Sequence, residues 1–158
     1  MRKLTFSTTI NAPKEKVWRV MLEDPTYRQW TSVFHEGSYA LTDWAVGSKA
    51  LFLIPEGDGM VSRIVAHRPN EFLSIEHLGT VKKGVEDITS NEAKSWAGVH
   101  ENYTLKEING VSTLTVEMDA SDEFLKFFED TWPKALQKLK EISEQNQATS
   151  SELRRKAI

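Results

Sequence analysis

The stretch VHENYTLKEINGVSTLTVEM, residues 99–118, constrains this chain more than any other, because it admits essentially one local structure. Asn109-Gly110 separates two runs of alternating apolar and polar residues, and both residues tolerate the positive φ of a two-residue hairpin turn. Such a turn pairs Ile108 with Val111, Leu105 with Leu114, Tyr103 with Val116 and Glu101 with Met118. Alternate side chains share a sheet face, so Glu101, Tyr103, Leu105, Leu114, Val116 and Met118 lie together. All but one suit a buried face. The exception, Glu101, is a carboxylate.

The remaining sequence extends this sheet and supplies helices to cover it. RKLTFSTTI (Arg2 to Ile10) alternates as a half-buried strand, with Leu4, Phe6, Thr8 and Ile10 on one face. NAPKEKVWRVML follows with proline at the first helical position and a Val17, Trp18, Met21, Leu22 stripe. EDPTYRQW predicts a short second helix from Pro25. GSYALTD, SKALFLI, MVSRIVAH and EFLSIEHLG then read as strands, the last two joined by a turn at RPN. Thr80 to Lys94 is polar and without period, and reads as a long loop. SWAGVHENYTLKEI and VSTLTVEM complete the sheet. After Met118 the pattern becomes helical, with Leu125, Phe128, Trp132, Leu136, Leu139 and Ile142 at three- and four-residue steps. Pro133 predicts a bend there, because it removes one backbone donor.

The order is strand, two helices, about six strands and one long helix. A consecutive run of strands favours an antiparallel sheet with helices segregated to one face, an α+β fold. At 158 residues the chain has single-domain length, and a domain of this size typically buries ~70% of its unfolded surface. The expected division is one domain over residues 1–146 and a fraying polar tail over 147–158. The absence of cysteine excludes disulfides, thiolate nucleophiles and cysteine-ligated metal clusters. A net charge of −3 argues against a nucleic-acid partner, and no apolar run reaches membrane-spanning length. A cytoplasmic protein without membrane insertion is the expectation.

Several phrases, in this order, resemble the START-like helix-grip (SRPBCC) superfamily: TTINAPKEKVWRVMLEDPTYRQW, RIVAHRPNEFLSIEH, ENYTLKEINGVSTLTVEM and WPKALQKLKEISE. Within it the likeness is closest to the branch named for activators of heat-shock-chaperone ATPase (AHSA-type). The resemblance covers nearly the whole chain to about Glu144. It implies a curved antiparallel sheet gripping the long C-terminal helix, often around a hydrophobic cavity. The superfamily includes lipid and hormone carriers and polyketide cyclases, and the branch itself points to a chaperone partner.

Glu101 has company. If MVSRIVAH and EFLSIEHLG pair about RPN with Val61 opposite His77, Arg63 opposite Ile75 and Val65 opposite Leu73, their shared face is apolar except for Arg63 and His77. If EFLSIEHLG also lies beside the 99–118 hairpin, Arg63, His77 and Glu101 gather at mid-sheet. A buried unpaired charge is expensive, so these groups either satisfy one another or face a cavity. Apolar pockets with a few convergent polar groups have this composition. A bulge between Lys94 and Tyr103 would instead turn Glu101 to solvent, and a purely structural Arg63–Glu101 pair would also explain it.

The candidate ligand-contacting residues are therefore Arg63, His77, Glu101, Tyr103, Met118, Phe128 and Trp132. The expected function is non-catalytic binding of a small apolar or amphipathic molecule between sheet and C-terminal helix. The alternatives are a cyclase- or hydratase-like enzyme using His77 or Glu101 as acid/base, and a chaperone-associated interaction module. Thr80 to Lys94 and Trp30 to Gly37 are candidate gates. His35, His67, His77 and His100 form no HExxH pattern, and neither a metal nor another cofactor is expected. His67 reads as solvated beside a turn. His100 and Trp96 read as outer-face residues, with Trp96 and Gly98 a candidate homodimer patch. No serine sits in a nucleophile elbow, and no glycine-rich phosphate loop occurs.

Overall fold

The computed structural model describes the backbone of residues 1–157 and side chains through Gln145. The elements run β1 (Arg2–Ile10), α1 (Lys14–Leu22), α2 (Asp24–Thr31), β2 (Tyr39–Leu41), β3 (Lys49–Leu53), β4 (Gly59–Arg68), β5 (Phe72–Lys82), β6 (Val85–Asp87), α3 (Asn91–Trp96), β7 (His100–Ile108), β8 (Val111–Ala120) and α4 (Asp122–Ala157). One antiparallel sheet follows the order β1-β8-β7-β5-β4-β3-β2, with β6 paired to β5. Against it pack α1, α2 and the long α4. This is the α+β arrangement that the order of sequence patterns predicted, in the helix-grip form that the resemblance implied.

The β7–β8 hairpin has the expected register, including Ile108↔Val111 and Glu101↔Met118. Its turn residues Asn109 and Gly110 have φ of 51° and 82°, the left-handed values that a two-residue turn with this twist demands. From it the core builds outward. Leu105, Leu114 and Val116 of the hairpin meet Val17 and Met21 of α1 and Leu136 and Leu139 of α4 in one buried cluster.

On α4 the Trp132, Leu136, Leu139 and Ile142 stripe is buried, whereas Leu125 and Phe128 are only half-covered. Pro133 lies on the exposed side, and the helix is continuous past it. The far end of the stripe is clamped to the β1–α1 corner. Glu144 accepts from the Asn11 backbone N–H, and Lys140 Nζ donates to both Thr9 O and Glu144. The backbone of α4 runs on through the segment expected to fray, while side chains beyond Gln145 lie outside the described residues.

The segment Thr80 to Lys94 is not a loop. It holds the end of β5, all of β6 and the start of α3, whose cap is Ser90 accepting from the Ala93 N–H. Elements of three and six residues are too short to show a period in sequence. Gly79 permits this arrangement, since a Cβ there would stand 2.2 Å from Asp87 O. Among the described residues no helix is long and apolar enough to cross a membrane.

Candidate functional site

Between the sheet, the end of α2, α3 and the first turns of α4 lies a cavity of about 230 Å³. Its walls are largely aromatic, with Trp30 and Phe34 on one side, Phe52 from β3, and Phe128 and Trp132 from α4. Ser38, Tyr39, Trp96 and Phe128 line it and are only half-buried. Trp132 fixes one wall. It is buried, meets Phe34 edge-on with centroids 4.9 Å apart, and points its indole N–H at Met118 Sδ, 2.9 Å away.

The polar groups converge at the sheet wall. β5 lies beside β7 with Ile75 opposite Glu101, so His77 and Glu101 project from neighbouring strands on the same face. His77 Nε2 stands 3.4 Å from Glu101 Oε1, and the Tyr103 hydroxyl donates to Glu101 Oε2. Behind them the fully buried Ser62 Oγ lies 2.6 Å from His77 Nδ1. An ionised carboxylate only accepts, so Nε2 carries the proton in the His77–Glu101 contact. Both imidazole nitrogens are thus engaged within the protein.

These contacts set the charge of the site. Burial pushes the Glu101 carboxyl upward, but the hydrogen bond and positive charge of His77, with the Tyr103 hydroxyl, outweigh it and hold Glu101 below the ordinary carboxylate range. Glu101 is therefore an acceptor. Burial and then the Glu101 charge push the Tyr103 phenol well up, keeping it a donor. The Tyr27 phenol, which also lines the cavity, is raised by burial and by the same charge. Glu101 retains 19% of its side-chain surface accessible, and that surface faces the cavity.

Of the residues singled out from sequence, His77, Glu101, Tyr103, Met118, Phe128 and Trp132 line this cavity. Arg63 does not. It lies exposed on the other sheet face, 2.8 Å from Glu76. The cause is a bulge: β4 pairs Arg68 with Phe72 and His67 with Leu73 near the turn, but the register shifts between Ile64 and Ala66. One extra residue reverses which side chains point inward. Ser62 and Ile64 therefore face His77 and Ile75, and Arg63 opposes Glu76. No Arg63–Glu101 pair exists, and no bulge turns Glu101 outward.

His67 also departs from expectation, although it lies on the turn side of that shift, opposite Leu73. It is not solvated beside the turn but half-buried, accepting from Trp18 Nε1 at 3.1 Å, with Nδ1 2.9 Å from Trp44 O. Trp96 is not on an outer strand face. It ends α3, lines the cavity and packs 5.2 Å from Phe124. His100 is half-buried, 3.4 Å from Ser74 across β5 and β7. Sequence reading missed Ser62, whose inward orientation depends on the bulge. It also missed Tyr27 and Phe52, whose aromatic character alone does not separate a cavity wall from core. Among the described residues no group of three or more metal-ligating side chains converges.

The Ser62–His77–Glu101 row has the residue types of a hydrolytic triad in the wrong arrangement. In such a triad the serine reaches substrate while the carboxylate stands behind the histidine. Here Glu101 faces the cavity, while Ser62 has no accessible surface. Ser62 can orient His77 but cannot attack a ligand.

No family model matches this chain, and no curated protein does. Solved structures do. The MLL2253 protein of Mesorhizobium loti superposes with a TM-score of 0.71 at 17% identity, over 91% of this chain and 98% of its own. The Aha1 dimer of Colwellia psychrerythraea gives a TM-score of 0.65 at 18% identity, over 89% and 95%. CalU16 of Micromonospora echinospora gives 0.63 at 16% identity, over 89% and 73%. The chain has the fold of these proteins.

Proposed function

We propose that this chain binds a small, largely apolar molecule in the cavity between the sheet and α4, without transforming it. The observation that carries this reading is an aromatic-walled cavity of about 230 Å³ whose carboxylate, Glu101, is held in place by His77 and Tyr103. Affinity would come from apolar burial, at ~25 cal/mol per Å², and orientation from the polar end. Phe128 and Trp132 supply the α4 wall and Met118 the floor beside Trp132.

Acid/base chemistry is the less favoured reading. A general base works best with a pKa near the operating pH, and Glu101 is held below even the ordinary carboxylate range. His77 has no free nitrogen to offer a substrate. A chaperone-directed role would use outer surface instead. The Colwellia Aha1 structure is a dimer, which makes self-association of this chain a further property to measure by sedimentation.

The test is fluorescence titration with Nile red, a neutral apolar probe, together with native mass spectrometry of the purified protein for a co-purifying molecule. Saturable Nile red binding is expected, and Ser38→Trp at the half-buried rim should abolish it while circular dichroism and melting stay unchanged. Equal binding by the folded rim variant would overturn the proposal.

A further inference from the structure

The cavity also has a chemical polarity, and resting on the binding reading above, we infer that it selects ligands that lead with a neutral hydrogen-bond donor, such as an aromatic hydroxyl, and rejects ligands that lead with a carboxylate. The inference follows from counting acceptor sites. A carboxylate has two oxygens and about four lone-pair directions. His77 Nε2 occupies one at Oε1 and the Tyr103 hydroxyl one at Oε2. Acceptor capacity remains, and the accessible 19% of the side chain presents it to the cavity.

The donors that touch Glu101 are already committed to it, and the remaining phenol hydroxyls on the walls, those of Tyr27 and Tyr39, carry no positive charge to draw an anion. Tyr103 spends its only proton on Glu101, and His77 is held between Ser62 and Glu101. Arg63, the one cation expected here from sequence, sits on the opposite face against Glu76. A ligand carboxylate would therefore meet the Glu101 charge across aromatic walls, where little water can screen it. A hydroxyl or N–H would fill a vacant acceptor site in the same surroundings, where a charge-assisted bond is stronger than in water.

The experiment uses naphthol, naphthalene and naphthoate, which share one ring system and differ in the leading group, each displacing Nile red from the full-length protein at neutral pH. Naphthol should bind more tightly than naphthalene and at least about tenfold more tightly than naphthoate, the ratio expected for one hydrogen bond to a charged group. In Glu101→Gln the gap between naphthol and naphthoate should shrink to about threefold or less, because an amide both donates and accepts. In Tyr103→Phe, which frees a further acceptor site, the preference for naphthol should persist; this variant carries the test if Glu101→Gln fails to fold.

Equal displacement by all three probes, or preference for naphthoate, would overturn the inference while leaving the cavity reading intact. Failure of Nile red itself to bind would remove both.

Discussion

Ser62 Oγ lies 2.6 Å from His77 Nδ1, so the imidazole that touches Glu101 is itself fixed from behind by a side chain with no accessible surface. The order of contacts, from interior to cavity, is hydroxyl, imidazole, carboxylate. Each member limits the rotation of the next, and His77 and Glu101 line the cavity while Ser62 does not.

Ser62→Ala tests that support. It leaves a buried imidazole nitrogen without its partner, and the lost pairing should cost about 1–3 kcal/mol in urea unfolding. Ligand binding should weaken while preference for a donor-bearing probe is kept, because Glu101 itself is untouched. Unchanged stability would mean that water replaces the hydroxyl.

Acid pH tests the charge on Glu101. Its folded-state pKa lies below the ordinary value of 4.5, so the unfolded chain takes up this proton first as pH falls. Its contribution to stability is therefore complete above that ordinary value and is lost as pH drops through the lower folded-state value. Wild type should accordingly lose more stability than Glu101→Gln between about pH 5 and pH 3, read as the difference between two sets of denaturation curves. Glu144, also held low by Lys140 and the Asn11 N–H, is common to both proteins and cancels. Parallel curves would contradict an ionised Glu101.

Arg63→Ala tests the sheet register. The Arg63 side chain is 51% exposed and its Glu76 partner is on the same outer face, so solvent screening leaves a cost of about 0.5 kcal/mol or less. Nile red affinity should not move. A large loss of binding would place Arg63 back on the cavity wall.

Trp132→Ala tests the α4 wall. The ring is buried among Phe34, Tyr103 and Trp30 and its N–H is used by Met118. Truncation should destabilise by about 3–5 kcal/mol and enlarge the cavity. A cost well under a kilocalorie would mean that the ring does not pack in the core.

Gly110→Ala tests the hairpin. With φ at 82°, a side chain there is strained, and a loss of roughly 1 kcal/mol is expected with no change in probe affinity. The turn lies at the opposite end of the β7–β8 hairpin from the Glu101–Met118 pair, so the two readouts should separate.

The sequence by itself determined the pieces whose signals are local. Asn109-Gly110 set the β7–β8 register, and that register alone put Glu101, Tyr103 and Met118 on one face. The helical stripe set which side of α4 is buried, because a three- and four-residue repeat aligns side chains without reference to anything else in the chain. His77 could be named because an imidazole stood out between Ile75 and its apolar neighbours on β5. What lay beyond sequence was decided by contacts between segments. The bulge near Val65 carries no signature in MVSRIVAH, yet it reversed Arg63 and Ser62 and exchanged a cation for a hydroxyl behind His77. Trp96 reached the cavity because α3, too short to show a period, turned it against Phe124. Strand parity is a property of two chains pairing, and a cavity is what remains where several elements fail to meet; neither exists until the tertiary structure brings those elements together.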